Sequence, residues 1–218
     1  MTMSAQYHFI FDLDGTVVNP GTAIPRCINF ALKKHGMKPV PIERLKRYIG
    51  FSLETVFADI TKRKDKRFLK TCVDAYRERF HKEGIPEHRL YPGIVGLLEA
   101  ASKNGTLIVA SIKPQVSCEM VLDHLGIKAL FKSVYGSELN GKLGNKIELF
   151  KHIMKKEGIK KALFIGDRGV DIEAAKKCQC PSIGVSYGYG TKEELVAAGA
   201  DKIAETVGEL RQCLLTSA

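Results

Sequence analysis

An apolar run that stops abruptly at two acids constrains this chain most. Tyr7-His8-Phe9-Ile10-Phe11 leads straight into Asp12-Leu13-Asp14-Gly15-Thr16. A segment so apolar reads as a strand covered on both faces, which places it inside a parallel sheet. Residues two apart on a strand share a face. At a strand end followed by Gly15 the chain can swing so that Asp12 and Asp14 address one pocket. Two carboxylates so close need a cation or a shared proton. A hard cation such as Mg²⁺ prefers oxygen ligands and keeps waters for an anionic substrate. The pattern points to phosphate chemistry.

The rest of the chain is consistent with that sheet. Strand-like segments near Tyr7 to Asp12, Leu107 to Ser111, Ser133 to Tyr135, Ala162 to Gly166 and Ser182 to Val185 alternate with helical patterns. The helices are expected near Gly93 to Lys103, Gln115 to Leu125, Lys146 to Glu157, Asp171 to Lys177 and Thr206 to Leu215. Alternation of this kind predicts an α/β fold with a Rossmann-like parallel sheet. The first and fourth strands, the most apolar, belong at its centre. Residues 19–90 break the alternation with three or four helical patterns and no convincing strand. They read as an inserted all-helical domain, leaving 1–18 and 91–218 as the core. Pro20-Gly21 and Tyr91-Pro92-Gly93 punctuate the two boundaries.

The 218 residues suffice for one substantial core and a satellite. No apolar run approaches the roughly 20 residues of a membrane span. The short polar segment Met1 to Gln6 has no basic region of a secretory leader, so a cytoplasmic location is expected. Six cysteines (Cys27, Cys72, Cys118, Cys178, Cys180 and Cys213) fall on different elements and read as free, buried thiols. The formal charge of +10 raises the question of nucleic acid. Its densest run, Lys62-Arg63-Lys64-Asp65-Lys66-Arg67, lacks interleaved aromatics and reads better as a solvated helix start. The expected partner is a small phosphorylated substrate, with no membrane, nucleic acid disfavoured, and a monomer or homodimer.

Convergence of polar residues at the carboxyl ends of apolar strands carries the functional argument, because open α/β sheets bind ligands there. Ser111 ends Leu107-Ile108-Val109-Ala110, and Asp167 ends Phe164-Ile165-Gly166, with Asp171 a helical turn later. Lys146 opens a helix after the segment Gly141-Lys142-Leu143-Gly144-Asn145, and Lys142 could make the same contact. Taken singly, each has a plainer reading: an incidental acidic pair, a strand-ending serine, a helix-capping aspartate. The glycines from Gly184 to Gly190 read as a turn near the site, since no βαβ dinucleotide unit follows. The histidines show no metal-ligand spacing.

Together, Asp12-Leu13-Asp14-Gly15-Thr16, Ser111, Lys146 and Gly166-Asp167-Arg168-Gly169-Val170-Asp171 resemble the four motifs of the haloacid dehalogenase superfamily. Tyr91-Pro92-Gly93, Lys113-Pro114, the stretch Ile183-Gly184-Val185 to Tyr187-Gly188-Tyr189-Gly190, and Glu194-Leu195 are similar to its phosphoglycolate phosphatase branch, which includes relatives described as 5′-nucleotidases. Ile112 departs from the Asn or Ser common there.

The resemblance implies a Mg²⁺-dependent phosphatase acting on phosphoglycolate or a nucleoside 5′-monophosphate. Asp12 would be the nucleophile, forming an aspartyl-phosphate. Asp14 would be the general acid and base. Ser111 and Lys146 would hold the phosphoryl oxygens. The metal would be held by Asp12, the backbone carbonyl of Asp14, Asp167 and Asp171. The insert would be a cap that selects the leaving group, with Arg44, Arg47 and Phe51 as contacts. Arg168 could stabilise phosphate or pair with an acid. Two rivals remain: a phosphosugar mutase of the same fold, though Val17 to Ile24 lacks the His of those relatives, and a non-catalytic nucleic-acid or protein-binding module.

Overall fold

A computed structural model describes residues 7–215, so the polar segment Met1 to Gln6 lies outside the described residues. The chain divides into two compact units: the N-terminal stretch through Asn19 together with everything from Leu90 onward, and an insert from Pro20 to Arg89.

The first unit is built on a six-stranded sheet, β1 (Tyr7–Phe11), β2 (Gly105–Pro114), β3 (Ser133–Ser137), β4 (Ala162–Gly166), β5 (Ser182–Val185) and β6 (Lys202–Ala204). Every pairing is parallel and the spatial order is β3-β2-β1-β4-β5-β6. The two most apolar strands, β1 and β4, are neighbours at the centre, with Phe9 opposite Leu163 and Phe11 opposite Ile165. The order of connection reverses beside β1, so the crevice at the carboxyl ends of β1 and β4 is where such a sheet binds ligands. Beneath it, the Phe150 and Phe164 rings stack 4.1 Å apart, in a core with Ile10, Ile108, Leu149 and Ile153.

Helices α1 (Ala23–Lys34), α2 (Ile42–Lys46), α3 (Leu53–Thr61) and α4 (Lys66–Arg79) form the insert. In α1, Ala23, Ile24, Cys27, Ile28, Ala31 and Leu32 are buried, the three-and-four spacing of a single apolar face. The basic run from Lys62 to Arg67 spans the joint between two helices. Lys62 closes α3 in a left-handed conformation, φ 55°. The Asp65 side chain accepts the Arg67 N–H to open α4, and the Arg63 guanidinium lies 3.5 Å from the Phe68 ring centroid.

The core's own helices are α5 (Ile94–Ser102), α6 (Gln115–His124), α7 (Lys146–Lys156), α8 (Gly169–Lys177), α9 (Lys192–Ala198) and α10 (Val207–Leu215). The sequence pattern does not announce α9, the edge strand β6 or the two-residue strands Val18–Asn19 and Arg89–Leu90, all too short to show a period, and the last of these places a short strand in the region expected to have none. α8 starts two residues earlier than its apolar pattern. β2 runs three residues past Ser111, with its pairing to β3 interrupted between Ala110 and Pro114. α10 packs on α5 and β6 through Leu210 and Leu214.

None of the six cysteines is in a disulfide, and only Cys27, Cys72 and Cys118 are buried. Cys178, Cys180 and Cys213 are partly exposed, which corrects the expectation of six buried thiols. Among the described residues, no helix is long and apolar enough to cross a membrane.

Candidate active site

At the carboxyl end of β1 the ladder continues one step, with the Asp12 N–H donating to the Ile165 carbonyl at 2.8 Å. The chain then folds tightly, with the Gly15 amide donating to the Val18 carbonyl and the Val17 and Val18 amides donating back to that of Leu13. Gly15 sits at φ 93°, and a Cβ there would lie 2.1 Å from Asp167 Oδ2. Glycine is required twice over, by conformation and by the approach of the second acid. Asp167 ends β4 and Asp171 lies on the first turn of α8. Asp12, Asp167 and Asp171 are all buried, and each offers a carboxylate oxygen within 4.8 Å of the other two.

Lys146 is the counter-charge. The Asn145 side chain caps α7 by accepting the Ile147 and Glu148 amides, which fixes Lys146 at the first helical position. Its ammonium reaches Asp12 Oδ1 and Asp171 Oδ1, each at 2.6 Å, and donates to the Ala110 carbonyl at 3.1 Å. Burial alone would lower the lysine, but Asp12 and Asp171 outweigh it and hold the ammonium above the ordinary range. Burial pushes the Asp171 carboxyl up to about 6 against the opposing pull of Lys146. Burial, with Asp12 and Asp171 nearby, raises Asp167 well above the carboxylate range. Lys142 goes elsewhere: it is exposed and pairs with Glu138 at 3.3 Å.

Asp14 is buried in the same turn, but its side chain points to a partner that the motif reading did not single out. Lys113 Nζ lies 2.6 Å from Asp14 Oδ2, with both side chains nearly buried. The residue stands two positions after Ser111, itself buried; Lys113-Pro114 and the strand-end position mark it in the sequence, but neither points to Asp14.

The glycine-rich turn after β5 closes over Asp167. The Tyr189 N–H donates to Asp167 Oδ2 at 2.8 Å. A Cβ on Gly188 would lie 2.4 Å from the Gly15 carbonyl oxygen, and one on Gly190 only 1.8 Å from that of Asp167. The Tyr187 hydroxyl donates to the Thr16 carbonyl at 2.8 Å and that of Tyr189 to Asn19 Oδ1 at 2.7 Å. Tyr91 meets Tyr187 edge to face at 4.9 Å. Burial raises both of these phenols, with Asp167 adding to it. Arg168 pairs with an acid: Glu194 Oε1 accepts from Arg168 Nε at 3.0 Å and from the Gly169 amide at 2.7 Å. Glu194 thus caps α8, while Asp171 Oδ2 accepts the Arg168 amide at 3.1 Å. Asp171 therefore combines the plain reading of a helix cap with a place in the acidic cluster.

In the insert, Arg44 lies on α2, and Arg47 and Phe51 flank the turn that follows it. Arg47 Nη2 donates to the Tyr48 hydroxyl at 2.7 Å, and that hydroxyl donates to Asp59. Phe51 is 43% exposed. His88 is fully buried, with Nδ1 2.7 Å from the Gly84 carbonyl oxygen.

Comparison with known proteins agrees with this geometry. A family model described as haloacid dehalogenase-like hydrolase matches residues 9–185. The chain is 38% identical to a 5′-nucleotidase of Pseudomonas aeruginosa, over 95% of each sequence. It is 28% identical to a phosphoglycolate phosphatase of Agrobacterium fabrum, over 94% of this chain and 91% of the relative. The crystal structure of a predicted phosphatase from Clostridium acetobutylicum superposes with a TM-score of 0.92 at 34% identity, covering 98% of this chain and all of that one. A parallel sheet ending in buried acids, matched along nearly its whole length by phosphoric monoester hydrolases, belongs to the haloacid dehalogenase-like hydrolase family.

Proposed function

We propose that the protein is a Mg²⁺-dependent phosphatase of small phosphomonoesters that works through a phosphoryl group carried on Asp12. A nucleoside 5′-monophosphate is the first substrate to consider, because the relative of that name is 38% identical, and phosphoglycolate is the second. The observation that carries the reading is the buried trio Asp12, Asp167 and Asp171 with Lys146 bridging two of them.

The donor set fits a hard divalent cation. All its atoms are carboxylate oxygens, and Asp167 Oδ1 is buried with no hydrogen-bond partner. Asp12, Asp167 and Asp171 as carboxylates against Lys146 leave two negative charges, which one divalent cation would balance. Asp12, Asp167 and Asp171 would hold it, with the Asp14 carbonyl. Bound there, Mg²⁺ supplies neutralisation of the phosphoryl oxygens.

The chain's own residues supply the rest. An Asp12 carboxylate oxygen forms a bond to phosphorus as the bond to the leaving oxygen breaks, and Asp14 gives that oxygen its proton. Asp14 then takes a proton from water as the water oxygen bonds to phosphorus and the Asp12–phosphorus bond breaks, releasing phosphate. Lys146, which orients Asp12, and the Ser111 hydroxyl steady the phosphoryl oxygens in both steps. The insert acts as the cap of the fold, and choice among leaving groups is assigned to its Arg44, Arg47 and Phe51.

Phosphate release from AMP, other nucleoside 5′-monophosphates, phosphoglycolate and sugar phosphates, with Mg²⁺ and with EDTA, tests the reading. Release that needs Mg²⁺ and disappears in Asp12→Asn is expected. A folded, metal-loaded protein that releases phosphate from none of them overturns it.

A further inference from the structure

We infer that Lys113 is a positioning residue for Asp14, fixing the direction in which that carboxyl meets the leaving oxygen; this rests on the acid and base role given to Asp14 above. The two reacting acids have separate cations. Lys146 serves Asp12 and Asp171, whereas Lys113 Nζ contacts Asp14 Oδ2 at 2.6 Å, with side-chain exposures of only 9% and 7%. A carboxyl held through one oxygen presents its other oxygen in a set direction.

The local backbone is arranged to deliver this lysine. β2 loses register with β3 between Ala110 and Pro114, an irregularity of the kind that re-aims a side chain beside an active site. Residues 111–113 are then held at three points. The Lys113 amide donates to Ser111 Oγ at 3.4 Å, Ser137 Oγ donates to the Ile112 carbonyl at 2.8 Å, and the buried Cys118 thiol donates to the Lys113 carbonyl at 3.5 Å. Gly136 makes room for this course, since a Cβ there would lie 2.4 Å from the Gln115 nitrogen and 2.6 Å from the Lys113 carbonyl oxygen. Lysine carries about 2 kcal/mol of rotamer entropy. The ion pair with Asp14 offsets that loss, and holding the main chain from three sides fixes the point from which the ammonium reaches the carboxyl.

A positioning role separates from a binding role by leaving group. Expulsion of an alkoxide needs the Asp14 proton, whereas p-nitrophenolate leaves without one. The test compares wild type, Lys113→Met, Lys113→Arg and Asp14→Asn, all with Mg²⁺. It reads steady-state hydrolysis of the fastest alkyl phosphomonoester of the panel and the single-turnover burst of p-nitrophenolate from p-nitrophenyl phosphate. Lys113→Met is expected to lower kcat on the alkyl ester about 100-fold, with KM within about threefold. Its burst should stay within about threefold of wild type, and Lys113→Arg should recover most of the loss. A burst that falls as far as the alkyl rate, or a rise in KM with kcat unchanged, overturns the inference and makes Lys113 a direct ligand of the substrate. If Lys113→Met does not fold by circular dichroism, the same comparison is read from Lys113→Gln. An Asp14→Asn protein that turns over the alkyl ester at the wild-type rate sinks the acid role of Asp14 instead, whatever Lys113 does.

Discussion

The ammonium group of Lys146 lies 2.6 Å from Asp12 Oδ1 and bonds in the same place to the backbone carbonyl of Ala110. It is the shared counter-ion of two buried carboxylates. Removing one partner of a buried pair typically costs about 3–5 kcal/mol. Lys146→Met is therefore expected to lose stability of that order in urea titrations in EDTA, together with its phosphatase activity. Adding Asp171→Asn should return part of the stability and none of the activity. An unchanged urea midpoint would mean that the ion pairs contribute nothing to the fold.

Asp167 stands in the opposite position. Burial and two neighbouring carboxylates disfavour its charge, and its Oδ1 has no partner. Asp167→Asn keeps an acceptor for the Tyr189 amide and removes the repulsion. The metal-free variant should melt higher than wild type, by about 2–4 °C for each kcal/mol relieved at this chain length. Mg²⁺ is expected to raise the Tm of the wild type and not that of the variant. A variant that melts lower without metal would show that the acid is satisfied in the fold by itself.

At Gly190 the constraint is steric. An added Cβ would lie 1.8 Å from the Asp167 carbonyl oxygen, a backbone atom that cannot swing aside. Gly190→Ala should cost about 1–3 kcal/mol, the range of forced overpacking, and should weaken Mg²⁺ binding by displacing Asp167. Isothermal titration with Mg²⁺ and a urea midpoint check both. Wild-type values in the two would remove the tight closure of this turn from the account.

Away from the site, Glu157 ties α7 to β3. Its carboxylate accepts from the Tyr135 hydroxyl at 2.6 Å, from Ser133 Oγ at 2.8 Å and from Lys132 Nζ at 2.9 Å. Tyr135 first, then Lys132, bring its pKa down to about 2 from 4.5, against the effect of burial. A carboxylate so depressed stabilises the fold above pH 4.5, and the gain is lost as pH falls toward 2. Because Lys132 is half exposed, about 1 kcal/mol is the expected size. Glu157→Gln should lower stability by about 1 kcal/mol above pH 5 and flatten its fall between pH 4.5 and 2, read from urea midpoints across that range.

The sheet, and the acids that the structure brings together in the candidate site, are legible because their signals are local. Apolar β1 and β4 announce a two-sided burial, and Asp12, Asp14 and Asp167 stand at their ends. Contacts between distant segments were not legible. Sequence left Lys142 and Lys146 as alternatives, and the choice depends on the Asn145 cap turning one inward. Arg168 had two readings until Glu194, 26 residues on, was seen to take it. Lys113 was visible as part of Lys113-Pro114, but its partner Asp14 lies almost a hundred positions earlier. A broken register in β2, which no residue pattern encodes, brings them together. β6 and α9 escaped notice because they are too short for periodicity.

Lys146 and Asp12 are 134 residues apart, and their contact needs β2 and β4 already docked on either side of β1. Closing a loop that long is an entropic debt met only by the rest of the sheet. No fragment of the chain holds the acids and lysines together, so metal affinity should be a property of the finished topology alone. During refolding, recovery of Mg²⁺ binding would then time the long-range closure that brings β2 and β4 onto β1, making the acidic cluster a clock for the assembly of the sheet's centre.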